Sequence, residues 1–297
     1  MDKRLETALE NLGKGASEET RRALALTARI LEASERMAET RAIELPSIRE
    51  EAEKRIRTGK TTVLEEMPAV ISAADLADVC GRVMGLVLEE TREELAEDEK
   101  QALAALPWPR LITDDAAKAA GRNPEAFLEL LTNAALRSGA AEALVSRFVL
   151  PVSALALRVF IGRAAKRAMT YLDRDTLEYR PYHLLPHCLV CGGDPVFARI
   201  TETVANGSVR RLTCGVCGAA WNYQRIGCPY CGTTATKDLS YTHDEKDTSH
   251  RLYVCKHCGE ILPTVFEAED AVLAGPDDME RVVLADLEQA YRAANPD

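Results

Sequence analysis

The feature that most constrains this chain is a motif written four times: Cys188-Leu-Val-Cys191-Gly, Cys214-Gly-Val-Cys217-Gly, Cys228-Pro-Tyr-Cys231-Gly and Cys255-Lys-His-Cys258-Gly. A two-residue spacer lets one tight turn aim both thiolates at a single ion. The glycine that follows takes up the positive φ such a turn needs, at little steric cost. A lone Cys-x-x-Cys is ambiguous because thioredoxin-like redox sites use it too. Four copies, each with its glycine, point to metal. The ninth cysteine, Cys80, falls on the apolar stripe of a helical pattern and reads as a core residue.

The spacing predicts how the pairs combine. They are separated by 22, 10 and 23 residues, so 188–217 and 228–258 read as two copies of one unit. Val209-Arg-Arg-Leu-Thr before Cys214 and Ser249-His-Arg-Leu-Tyr-Val before Cys255 are both strand-like. Two tandem Cys₄ ribbons follow. Site one takes Cys188, Cys191, Cys214 and Cys217; site two takes Cys228, Cys231, Cys255 and Cys258. The alternative joins the two middle pairs into an inner site and leaves the outer pairs to share another, which breaks the repeat. Sulfur-only tetrahedral coordination suits two metal ions, one per site, of either zinc or rubredoxin-type iron. His187 adjoins Cys188 and His257 lies within the last motif, so either can stand in for a thiolate. With eight cysteines filling two tetrahedra, both are expected to face solvent. His243 and His250 are expected in a loop within the second ribbon.

Composition divides the chain around these motifs. It has 297 residues and a formal charge of −10, which suits about two domains and opposes general polyanion binding. Residues 188–258 carry eight Lys/Arg against six Asp/Glu. Four thiolates around a divalent ion leave about −2 per site, so Arg199, Arg210, Arg211, Arg225, Lys237, Lys246, Arg251 and Lys256 are expected to offset thiolate charge. Before residue 175 the chain is rich in alanine, leucine and glutamate, a helix-former composition. Leu76, Val79, Cys80, Val83, Met84 and Val87 share one helical face behind Ser72 as N-cap. Ser47 to Glu50 matches a capping box, and Asn123-Pro124-Glu125 opens a further helix. Phe148–Leu157 is the most apolar stretch, too short for a membrane span of about 20 residues and so a core segment. The polar start, Met1-Asp-Lys-Arg-Leu-Glu-Thr, leads to the expectation of a reducing cytoplasm. Pro276-Asp-Asp-Met-Glu begins a last helix with Met279, Val282, Val283, Leu287, Ala290 and Tyr291 on one face.

No Ser-His-Asp order or phosphate-binding glycine loop is present, and a closed Cys₄ site lacks the open position of a catalytic zinc. The chain therefore reads as a non-enzyme.

The run Cys188-Leu-Val-Cys-Gly-Gly-Asp-Pro-Val196, then Leu212-Thr-Cys-Gly-Val-Cys-Gly-Ala-Ala-Trp221, Arg225 and the last two pairs resembles the FdhE family of formate dehydrogenase accessory proteins. The resemblance extends over about 185–292, including the acidic Glu267-Ala-Glu-Asp270. It implies an α+β chain: an all-helical domain over 1–175, two rubredoxin-like modules over 176–225 and 226–265, and a C-terminal helix within 266–297 packing on the body. It also implies a cytoplasmic maturation factor that contacts the molybdenum- or tungsten-pterin catalytic subunit of formate dehydrogenase, and it favours iron. Trp221 and Arg225 match the family motif and are candidates for partner contact; the alternative for Trp221, and the favoured reading, is core packing, and Arg225 either neutralises thiolate charge or grips a carboxylate. No nucleic-acid binding and no membrane insertion are expected. The competing readings are a zinc-ribbon nucleic-acid-binding protein and a rubredoxin-like redox protein.

Overall fold

A computed structural model of the chain describes residues 2–91, 95–173, 185–203, 207–267 and 275–295. The first of the two expected boundaries of the metal region, at 175/176, and residues 268–270 of the acidic run lie outside these.

The helical body comprises, among the described residues, α1 (Lys3–Leu12), α2 (Glu18–Arg41), α3 (Glu50–Arg57), α4 (Val63–Glu66), α5 (Ala73–Glu90), α6 (Glu97–Ala104), α7 (Trp108–Leu111), α8 (Asp114–Arg122), α9 (Pro124–Arg137), α10 (Glu142–Leu144) and α11 (Leu150–Asp173). Local chemistry explains several starts. Ser72 Oγ accepts from Asp75 N at the head of α5, and Asn123 Oδ1 accepts from Ala126 N ahead of Pro124 in α9. The capping box expected at Ser47 does not form: α3 begins at Glu50 behind Arg49, which makes no side-chain cap. A capping box does form fifteen residues further on, where Thr62 Oγ1 accepts from Glu65 N and Glu65 accepts from Thr62 N.

Helix α5 buries Leu76, Ala77, Val79, Cys80, Val83, Met84 and Val87, the expected face with Ala77 added. It packs against α2, α7 and α11. Cys80 is fully buried, and burial pushes its thiol up to about 12. It serves there as a small apolar filler. The apolar stretch around Phe148–Leu157 spans a π-helical turn, Val145–Val149, and the start of α11. Pro151 cannot donate to the helix, and the wider turn just before it accommodates that loss. The stretch Glu142–Asp173 is long and apolar enough to cross a membrane by composition, but most of its apolar window is buried inside the protein.

The six strands β1 (Pro195–Thr203), β2 (Gly207–Cys214), β3 (Ala220–Tyr223), β4 (Leu239–Asp244), β5 (Asp247–Cys255) and β6 (Ile261–Glu267) form one sheet in the order β3-β2-β1-β6-β5-β4. Each ribbon is an antiparallel three-strand meander, and β1 and β6 join them by parallel pairing, with Ala198 opposite Thr264 and Ile200 opposite Phe266. The two ribbons are thus continuous with one another. β6 runs two residues beyond the expected end of the second module at 265. His243 lies in β4 and His250 in β5, so the expected loop is a paired hairpin.

Helix α12 (Asp277–Ala294) ties the two regions together. Met279, Val282 and Val283 pack with Leu5, Ala8, Leu24 and Ala28 of α1 and α2. Leu284, Leu287 and Tyr291 pack with Phe197, Leu252, Val254 and Val265 of the sheet. One amphipathic helix therefore buries two apolar rows against two different layers.

Candidate metal centres

The four Cys-x-x-Cys-Gly turns are nearly superimposable in their backbone bonding. In each, the first cysteine's carbonyl accepts from the motif glycine N–H: Gly192 to Cys188 at 2.8 Å, Gly218 to Cys214 at 3.2 Å, Gly232 to Cys228 at 3.0 Å and Gly259 to Cys255 at 2.8 Å. The first cysteine's own N–H donates to the carbonyl five residues on, in Gly193, Ala219, Thr233 and Glu260. All four motif glycines have φ between 69° and 80°, the left-handed region that L side chains rarely adopt. Val216 N and Tyr230 N each lie 3.4 Å from the sulfur two residues earlier, in Cys214 and Cys228.

These turns bring the eight sulfurs into two groups, within each of which all four lie within 4.8 Å of one another: Cys188, Cys191, Cys214 and Cys217, and Cys228, Cys231, Cys255 and Cys258. The tandem pairing holds, and the inner–outer alternative does not. Sγ–Sγ separations are 3.6 Å for Cys188–Cys217, 3.5 Å for Cys191–Cys214, 3.6 Å for Cys228–Cys258 and 3.7 Å for Cys231–Cys255. A metal–sulfur bond of about 2.3 Å in a tetrahedron requires sulfurs about 3.8 Å apart. Each group can hold one zinc or iron ion, and all eight cysteines are free of disulfides. His187 and His257 belong to neither group. Both are exposed, and His187 Nδ1 sits 2.8 Å from Asp194 Oδ1.

The thiols of site one share their charge unequally. Burial pushes Cys188 well above its ordinary pKa, while Cys214, hydrogen-bonded by Cys188, Cys191 and Cys217, is held well below. A divalent ion would supply the positive charge that lets the remaining thiols ionise, so loading releases protons.

Site one is held by the helical body. Val63 N and Leu64 N, free donors at the start of α4, donate to Leu189 O and Val190 O at 2.9 and 3.0 Å. Arg158 of α11 donates from Nε to Val216 O at 3.1 Å and from Nη2 to Gly215 O at 2.8 Å, while its Nη1 bonds both oxygens of Asp278 in α12 at 2.8 and 2.9 Å. Both turns of the site are therefore gripped from outside the ribbon. In the sequence Arg158 only marks the edge of the apolar stretch; its position after ten uncharged residues is the one signal of this role.

Site two is held by the first ribbon. Tyr223 Oη donates to Cys228 O at 3.2 Å, Tyr230 Oη to Pro195 O at 3.0 Å and Arg210 Nη1 to Gly227 O at 2.8 Å. Cys231 and Cys258 are exposed, whereas all four cysteines of site one are buried.

Trp221 is 0% exposed, and its Nε1 donates to Leu185 O at 3.3 Å. It is a core residue here and offers no surface to a partner. Arg225 donates to Tyr253 Oη at 3.1 Å and stacks on that ring. Not every basic residue expected to offset thiolate charge does so. Arg199 is paired with Glu267 and Asp277, both at 2.6 Å, and Arg251 is stacked on Tyr241 and Phe266. A further cluster was not foreseen: His250 lies between Asp247 at 2.6 Å and the buried Glu280 of α12 at 2.9 Å.

Fold and site together define an α+β protein with two Cys₄ metal ribbons built onto a helical body. No protein-family model matches the chain, and no curated protein matches it in sequence. Its fold is that of the crystallised FdhE protein from Pseudomonas aeruginosa, with a TM-score of 0.55 and 20% identity over 98% of this chain and 90% of that one. At that identity the likeness establishes the fold.

Proposed function

We propose that this chain is an accessory factor in the formation of active formate dehydrogenase, acting in the cytoplasm as a binding protein rather than a catalyst. The observation that carries this reading is the likeness of fold over nearly the whole chain to an FdhE protein, with both tetra-cysteine groups assembled. Its client is the catalytic subunit that carries the molybdenum- or tungsten-pterin. The two ions, iron or zinc, hold four turns rigid and fix the surface that the ribbons and helices present together. Residues 1–175, 176–225, 226–265 and 266–297 act as helical body, first module, second module and clasp.

Deleting the gene should abolish formate-dependent dye reduction in cell extracts, with recovery on complementation. The tagged protein should retain the formate dehydrogenase catalytic subunit in a pull-down. Full dye-reducing activity in a deletion strain lacking a second copy overturns the reading.

A further inference from the structure

Beside site two, and independent of the assembly role, the sheet opens into a cleft of ≈ 210 Å³ between β2, β4, β5 and the segment leading to Cys228. Two guanidiniums reach it. Arg210 is 2% exposed, and its Nε is buried without a hydrogen-bond partner. Arg225 lies nearer the surface, and both cations stack on the Tyr253 ring. Among the described residues neither arginine forms a salt bridge. Glu260 is the carboxylate in the lining and pairs with neither arginine. A guanidinium without a carboxylate partner suits an oxyanion, whose geometry matches its fork.

Apart from Thr236, Ser240 and Glu260, the remaining lining is mostly aromatic and apolar. Tyr253 stacks on Tyr241 with ring centroids 5.6 Å apart. Tyr241 and Ile226 stand 53% and 55% exposed in the lining, although most large apolar side chains of this protein are buried. Volume limits the occupant: a cavity of about 150 Å³ admits benzene, so ≈ 210 Å³ has room for one ring and one anionic group.

We propose that this cleft is a binding site for a monocyclic aromatic oxyanion, its carboxylate or phosphate held by Arg210 and Arg225 and its ring against Tyr241, Tyr253 and Ile226. The competing partner for the two cations is the thiolate charge of site two, since Cys228 and Cys255 also face the cleft. The test must therefore be made with the metal sites filled.

Zinc-loaded full-length protein is titrated calorimetrically with benzoate, phenyl phosphate and benzylamine. Benzoate and phenyl phosphate should bind one per chain and compete with each other, and the tighter of the two identifies the oxyanion. Benzylamine, of the same size but opposite charge, should bind at least ten-fold more weakly. Arg225→Gln and Ile226→Glu, both at the open side, should each weaken the anions at least ten-fold with circular dichroism and zinc content unchanged. Equal binding of benzylamine and the anions overturns the proposal. So does unchanged anion affinity in Arg225→Gln, or a variant whose only defect is faster zinc loss, because the guanidinium then serves the thiolates.

Discussion

The two Cys₄ sites share turn sequence, glycine geometry and sulfur spacing, yet they differ in what surrounds them. Site one is enclosed: α4 donates to its first turn, Arg158 grips its second, and all four cysteines are buried. Site two rests on the first ribbon and exposes Cys231 and Cys258. Identical local chemistry thus yields one centre built into the core and one at a surface. Coordination geometry is a property of the turn, whereas accessibility is a property of the neighbours.

The largest test of this difference is loss of a ligand. Cys217→Ser should cost more than about 4 kcal/mol, since it unmakes a metal site embedded in the main core. Cys231→Ser should loosen the second ribbon and leave the helical body folded. Thermal unfolding followed by tryptophan fluorescence reads this directly, because Trp221 lies in the same core as site one. Equal midpoints for the two variants would break the distinction.

Next comes the arginine clamp on site one. Arg158→Ala leaves Asp278 without its partner and two turn carbonyls without a donor, at a cost of about 3 kcal/mol. Arg158→Lys should recover little of it, because an ammonium cannot span the two carbonyls and the carboxylate as the guanidinium fork does. Chemical denaturation with metal analysis checks both, and full recovery by lysine would show that charge alone suffices.

Exposure should also set the order of metal loss. Under a chelator, site two should empty at least about ten-fold faster than site one, since its ion leaves without opening the core. Alkylation during release, read by mass spectrometry, should label Cys231 and Cys258 before any of Cys188, Cys191, Cys214 and Cys217. Simultaneous labelling would mean that the ribbons open as one unit.

The smallest effect concerns the clasp between β5 and α12. Burial opposes charge on His250, but the hydrogen bond it donates to Glu280 and the charge of Asp247 outweigh it and raise its pKa. A raised folded value means the stabilisation is full below the unfolded pKa of about 6.5 and fades as pH climbs through the folded one. His250→Gln should flatten that decline in melting temperature. Parallel pH profiles for the two proteins would remove His250 from the clasp.

Much of this was legible in sequence because it depends on residues close together. Ser72 and Asn123 cap the helices their side chains announced, and the apolar stripe through Cys80 is the buried face of α5. The Ser47 capping box failed because its pattern is satisfied by spacing alone, whereas the helix does not begin until Glu50, behind an extended Arg49. The parallel β1–β6 pairing left no trace, since the partners lie at opposite ends of the metal region and no local signal records their register. Trp221 and Arg225 both match the motif, with core packing the favoured reading of Trp221 and that of Arg225 left open. Only the packing of Leu185 over one, and the opening beside Tyr253 at the other, separates a core side chain from one that lines a cleft.

By itself the sequence determined which cysteines share an ion and how each turn is shaped, because two-residue spacers and a left-handed glycine act through short-range sterics. Tertiary structure alone decided which site is buried and which guanidiniums, among the described residues, lack a carboxylate partner. Those outcomes depend on α4 and α11 arriving from distant parts of the chain to enclose the first site, while α12 packs on the second ribbon and leaves Cys231 and Cys258 exposed.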